Sequence, residues 1–402
     1  YNTGSPETSE NYMIDDIDPI EHGAPTISLD AYNSGNDSLL LWGQYATLTV
    51  NFQEPVTSTY PDNATSIAAS FSSADDINLN NATGTLATMS PIDNDNKTTW
   101  TGRFTPTTDR EVDNNTITLA ASWTDQVGNP STSVTTSNFE VETLRPTVSS
   151  FTLSDSALKA GDNATVSLEF SEPVASFSSA DDITVPNLDN GTTPSGTLAA
   201  MTSSDNITWS STFTPTFPNT QDWDNTLSLG TNYTDVENNP GTAATSPNYM
   251  IDDIDPSTNG VPILTLSSPL LLYGQTAELR VVFPEPVTSV LPNTSIASFS
   301  SATNINLDNA TGSLTTAMSP IGNGTTWRGT FTPTNNMEVD NNTITLAASW
   351  TDQVGNPGTS VTTSNFEVDA KRTEAENFTF SVTDNTAYNG SPYNDYPALK
   401  TS

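Results

Sequence analysis

The sequence has no cysteine. Disulfide staples, thiolate nucleophiles and cysteine-ligated zinc or iron–sulfur centres are therefore excluded. Histidine occurs once, as His22, in a Pro- and Gly-flanked segment. A Ser-His-Asp triad or a His-rich metal site would have to pass through that residue. Cations are scarce too: Lys plus Arg number 10 against 47 Asp plus Glu, a net charge of −37 over 402 residues. Such a field repels nucleic acid and anionic lipid headgroups and attracts cations. No apolar run approaches the roughly 18 residues a spanning helix needs. There is no phosphate loop, nucleophile elbow or flavin motif. Tandem modules would also duplicate any catalytic carboxylate pair, so catalysis is not expected. Hydrophobic residues are only 34%, yet charged residues are 14%, too few for a solvated polyampholyte. The first residue is Tyr1, so the sequence is expected to begin after processing or within a longer protein.

What the chain does have is repetition. Four landmarks recur in order. Phe-x-Glu-Pro-Val spans Phe52 to Val56, Phe170 to Val174 and Phe283 to Val287. A Trp precedes Phe-Thr-Pro-Thr at Trp100, Trp209 and Trp327. An aromatic-Thr-Asp follows at Trp123 to Asp125, Tyr233 to Asp235 and Trp350 to Asp352. An Asn-Pro turn closes each set at Asn129-Pro130, Asn239-Pro240 and Asn356-Pro357. Val112 to Pro130 matches Val339 to Pro357 residue for residue, whereas the middle copy diverges. Met13 to Pro19 repeats as Met250 to Pro256, so the start of the chain reads as the last strand of a preceding module. The expected domains are 20–142 (repeat 1), 143–256 (repeat 2) and 257–370 (repeat 3). Residues 1–19 are the end of a module before them, and 371–402 the start of another or a tail.

Val166, Leu168 and Phe170 alternate with polar residues, as do Leu279, Val281 and Phe283, and Ile117, Leu119, Ala121 and Trp123. Period two with one apolar face is a half-buried strand. Turn signals follow every eight to twelve residues, and no stretch has helical periodicity. The reading is all-β: tandem immunoglobulin-like β-sandwich domains in a linear array. With no disulfide, packed Trp, Phe, Leu and Val must carry each core. The combination of Phe-x-Glu-Pro-Val, Trp-x-x-x-Phe-Thr-Pro-Thr and Thr-Asp-x-x-x-Asn-Pro resembles the immunoglobulin-like repeats of large bacterial and archaeal surface proteins. The resemblance covers residues 20–370. It implies an extracellular array, often stiffened by calcium, that spans distance or forms a coat. The Glu-Thr-Leu-Arg linker at 142–145 and the Asn-rich loops depart from that pattern.

In immunoglobulin strand order the Phe-x-Glu and Thr-Asp motifs end strands whose following loops lie at the N-terminal pole. Glu54 and Asp125 should then face Asp15, Asp16 and Asp18 of the preceding linker. Glu285 and Asp352 should face Asp252, Asp253 and Asp255, and Glu172 and Asp235 should face Glu142. Ca²⁺ takes six to eight oxygens from such groups, and an ion at each joint would turn beads into a rod. The plainer alternative is an Asp that caps its own turn and surface acid that serves solubility. At the middle joint Arg145 could neutralise Glu172 directly. Asp93-Asn94-Asp95-Asn96 opens like an EF-hand loop, but position twelve is Phe104, so that reading is rejected. Asp75-Asp76 and Asp181-Asp182 become Thr303-Asn304 in repeat 3, which reads as a solvated loop.

Asn-x-Ser/Thr sequons number fifteen. Those at Asn96, Asn206 and Asn323 precede the recurrent Trp, and Asn81 and Asn309 occupy matched loops; these are the candidate glycosylation sites. The expected function is a non-enzymatic cell-surface stalk, filament or surface-layer segment that self-associates, with strand exchange as one route, and binds divalent cations. The alternative is an adhesin or carbohydrate-binding module acting through Tyr60, Trp223, Tyr388, Tyr393 or Tyr396.

Overall fold

The computed structural model describes residues 14, 16–31, 38–56, 71–92, 98–125, 127–287 and 299–374. Strands dominate, and they form the same two-layered sandwich three times. In repeat 1 one layer runs Thr26–Ala31, Ala46–Asn51, Thr99–Pro106, Gly84–Leu86, with Ser90–Pro91 also on Thr99–Pro106. The facing layer joins Leu39–Leu41, Phe139–Glu142 and Glu111–Asn115. A small third sheet pairs Val134–Thr135, Thr118–Leu119 and Ile77–Asn78. The alternating burial of Ala46–Asn51 shows why the pattern folds this way: Ala46, Leu48 and Val50 are buried and their neighbours are not. Leu39–Leu41 runs parallel to Phe139–Glu142, so the second and last strands of the module lie side by side. That pairing fixes where the chain leaves each repeat.

The cores of the three repeats share no residue. Aromatic edges replace the missing disulfide. Phe52 meets Phe71 and Trp123 at 5.1 and 4.7 Å between ring centroids, and Phe71 meets Trp100 at 5.1 Å. Phe170, Phe177, Tyr233 and Trp209 repeat that arrangement, as do Phe283, Phe299, Trp350 and Trp327. Gly358 lets the chain pass Trp350: a Cβ there would lie 2.0 Å from the indole.

Two expectations change. The acidic pairs at 75–76 and 181–182 are not solvated loops but parts of one-turn helices, Ser73–Asp76 and Ser179–Asp182. Asp76 and Asp182 are buried and accept the backbone N–H of Ser72 and Ser178. Asn304 does the same for Ser300, so an amide serves as well as a carboxylate and no charge is required. The alternation from Ile117 to Trp123 also does not make one strand. Only Thr118–Leu119 pairs, because Ala120 N–H turns to Asp76 O instead.

Two compact units are present, one containing repeats 1 and 2 and the other most of repeat 3. Among the described residues no helix is long and apolar enough to cross a membrane.

Candidate functional site: the joint between repeats 1 and 2

The turns carrying Glu172 and Asp235 lie together, because Val174 and Asp235 form an antiparallel bridge. In repeat 1 the corresponding turns also reach the incoming linker. Gly23 packs against the Gln53 side chain, and Asn129 Nδ2 donates to Ile17 O at 3.1 Å. Glu54 and Asp125 therefore share the N-terminal pole of their module.

The buried aspartates cap their own turns. Asp125 Oδ1 accepts the backbone N–H groups of Val127, Gly128 and Asn129, and its Oδ2 accepts Asn129 Nδ2. Asp235 does likewise with Glu237 N, Asn239 N and Asn239 Nδ2. Most of the acceptor capacity of these two carboxylates is thus spent locally. Asp252 Oδ1 accepts Ile254 N–H and its Oδ2 accepts Gln221 Nε2. Asp253 turns back into its own repeat and caps Asn219 and Thr220 rather than facing forward. Asp16, Asp18 and Asp255 are exposed, while Glu285 and Asp352 are buried in the unit of repeat 3. Asp15 lies outside the described residues.

Arg145 does not neutralise Glu172. Its Nε donates to Pro240 O at 2.8 Å, a terminal nitrogen donates to Gly241 O, and the guanidinium lies 4.4 Å from the Trp42 ring centroid. The Trp42 backbone N–H donates to Asn239 Oδ1 at 2.7 Å. Repeat 1 (Trp42), the linker (Arg145) and repeat 2 (Asn239 to Gly241) are thereby tied in one contact. Sequence reasoning missed Trp42 and read Asn239 only as part of a turn, not as a joint contact. The available signal was Leu-Leu-Leu-Trp-Gly-Gln at 39–44, which recurs as Leu-Leu-Leu-Tyr-Gly-Gln at 270–275.

The remaining charge at this joint is negative. Glu142 is pushed up to about 7, chiefly by burial; Leu144 N–H opposes the shift, and Glu111, Glu237 and Asp235 add to it by repulsion. Burial, then Asp235, Glu237 and Glu111, raise Glu172 as well. Glu172 Oε1 is buried without a hydrogen-bond partner. A carboxyl raised above its ordinary 4.5 favours the folded joint while it is protonated. That contribution is complete below about 4.5 and is lost as pH rises through about 7. In chelator, Glu142→Gln should flatten this loss and raise stability at pH 8 by about 1 kcal/mol, after allowance for solvent screening of a partly exposed group. Thermal melts from pH 4 to 8 check it; parallel curves for both proteins would refute it.

The oxygen-only donor set, its mutual repulsion and the unbonded Glu172 oxygen fit a hard cation in kind. It is not a finished cage: among the described residues no group of three or more His, Asp or Glu side chains is arranged around one point.

Three tandem sandwiches, the first two tied through their linker, define a chain of immunoglobulin-like modules. The bacterial Ig-like domain model matches residues 22–141, 142–251 and 261–368, and the chain belongs to that family. No curated protein matches the sequence. Among solved structures, the Escherichia coli adhesin FdeC is 14% identical, with 86% of this chain and 96% of that one covered and a TM-score of 0.30. Titin domains I67–I69, in a Glu-to-Ala variant, are 11% identical, with 86% and 98% covered and a TM-score of 0.31. The S-layer protein rSbsC(31–844) is 14% identical, with 86% and 54% covered and a TM-score of 0.17.

Proposed function

We propose that the chain is a non-enzymatic segment of a cell-surface array, a stalk, filament or surface layer, whose joints set its stiffness. The observation that carries this reading is the Trp42–Arg145–Asn239 contact. There dedicated side chains of repeats 1 and 2 meet, which supports a held joint over a slack tether. Repeating one module adds length while each module touches only its neighbours. The acidic surface holds neighbouring copies apart until cations neutralise it.

Calcium belongs to this proposal. Glu142 and Glu172 would hold the ion at the middle joint, with the partly committed Asp235 beside them. Asp16, Asp18 and Glu54 would serve ahead of repeat 1, and Asp255, Glu285 and Asp352 within the unit of repeat 3. A bound cation would neutralise carboxylates that otherwise repel one another, and it would compete with the proton at Glu142. Adding Ca²⁺ at about 1 mM, the weak end of extracellular sites, should raise the melting temperature at pH 8 and sharpen the scattering profile of a rod. Identical melts and profiles in calcium and in chelator would remove the ion from the account.

Glycans are a second expectation. Asn206 and Asn323 stand exposed, whereas Asn81 and Asn309 commit their amides to Asn114 O and Asn341 O. Modification would therefore favour the first pair; Asn96 lies outside the described residues. The carbohydrate-binding alternative loses support at Trp223, which packs on Ala157 and Met250. Tyr60, Tyr388, Tyr393 and Tyr396 lie outside the described residues.

A further inference from the structure

Repeat 3 carries, at its C-terminal pole, the same apparatus that repeat 1 uses to grip repeat 2. Leu270–Leu272 pairs in parallel with Phe366–Asp369, Leu270 opposite Glu367 and Leu272 opposite Asp369. In repeat 1 the register is identical, Leu39 opposite Glu140 and Leu41 opposite Glu142. The turn that follows has the same shape in both. Gly43 and Gly274 take φ of 78° and 77°. Gln44 Oε1 accepts Leu41 N–H at 2.9 Å, and Gln275 Oε1 accepts Leu272 N–H at 3.0 Å. Tyr273 then occupies the place of Trp42, and Arg372 the place of Arg145. The Arg372 guanidinium lies 5.1 Å from the Tyr273 ring centroid.

Repeat 2 keeps the parallel pairing and the turn, with Gly161 at φ 90° and Asp162 Oδ2 accepting the Lys159 N–H at 3.2 Å, but lacks the aromatic ring and the arginine. Its equivalent turn is Lys159-Ala160-Gly161-Asp162, and its equivalent of Arg145 is Asp255. The aromatic–arginine face is thus a property of repeats 1 and 3 and not of the fold in general.

We infer that the Tyr273–Arg372 face is a preformed docking end for an immunoglobulin-like module of the repeat 2 kind, one presenting an Asn-Pro-Gly turn. Two observations select this occupant. In the unit of repeats 1 and 2 the matching face already holds that turn, through Asn239, Pro240 and Gly241. Charge is complementary as well: Lys371 and Arg372 are two of the ten cations in the chain, and the repeat 2 turn carries Asp235 and Glu237. Arg372 would donate to the turn carbonyls while the Tyr273 backbone N–H meets the turn asparagine. Leu270, Leu272 and Tyr273 are 39%, 43% and 45% exposed, open for such a contact. The array then uses two kinds of joint in alternation, an arginine latch after one kind of repeat and an aspartate-rich linker after the other. This inference does not depend on calcium.

The test lengthens the whole chain by a duplicate of its own residues 146–372, inserted after Arg372. The new joint is then Arg372 followed by Pro146 of the duplicate. The cysteine-free background allows nitroxide labels at chosen pairs. One pair, Thr47→Cys with Val236→Cys, spans the existing joint. The other, Glu278→Cys with the duplicate's Val236→Cys, spans the new one. Pulsed electron spin distance measurements in chelator should give the same mean distance and width for both pairs. Arg372→Glu and Tyr273→Ala should each broaden the new pair at least twofold and leave the existing pair unchanged. A new pair broad from the outset, or a narrow one that ignores both substitutions, overturns the inference.

Discussion

Trp350→Ala is expected to destabilise repeat 3 by about 3–5 kcal/mol, the range for emptying a large aromatic site. The indole is 1% exposed, stacks against Phe283 at 4.8 Å and donates from Nε1 to Thr359 O at 2.8 Å. Truncation loses the burial, the ring contact and a partner for a buried carbonyl together. A domain commonly has about 5–15 kcal/mol to lose, so the loss brings repeat 3 close to unfolding. Repeats 1 and 2 should hold, since none of their core residues belongs to that cluster. Hydrogen exchange in rising urea, resolved by repeat, measures this. Equal loss of protection in all three repeats would show that the array unfolds as one body.

The second large effect is at Asp125. Asp125→Ala would remove the shared acceptor of three backbone N–H groups and one partner of the Asn129 amide, which also holds the linker at Ile17 O. An orphaned buried donor costs about 1–3 kcal/mol; these are only part-buried and water can reach them, so a total of about 2–4 kcal/mol is expected. The same loss should appear with calcium and with chelator, because the carboxylate acts first as a turn cap. Urea midpoints in the two media decide this. A loss seen only in calcium would make Asp125 a metal ligand before it is a cap. Asp125→Asn should recover part of the loss, as Asn304 does at the position of Asp76 and Asp182.

Much of the sandwich was legible because its signals are local. Period-two alternation sets which face of a strand is buried, and the recurring Phe, Trp and Tyr set the spacing of the module. The joint was legible only in part. Topology brought the Glu172 and Asp235 turns to one pole, as strand order implied. The fate of each carboxylate was not legible, because a carboxylate beside a turn can cap that turn or face outward with the same sequence. Asp253 capped its own repeat, and Asp125 and Asp235 capped theirs. Arg145 was conspicuous as a rare cation, yet its partners are carbonyls 95 and 96 residues away and an indole in another module. Nothing local pairs those groups. Asn115 and Asn342 escaped notice for a related reason. Each is buried and ties the carbonyls of two strands, a role indistinguishable in sequence from a polar loop asparagine.

The sequence by itself determined an all-β array of three modules held by aromatic cores, because alternation and repetition are written along the chain. Only the tertiary structure decided how one module grips the next. That grip joins backbone carbonyls, a side-chain amide and a ring from distant segments, and hydrogen-bond geometry exists only once the strands have set their positions.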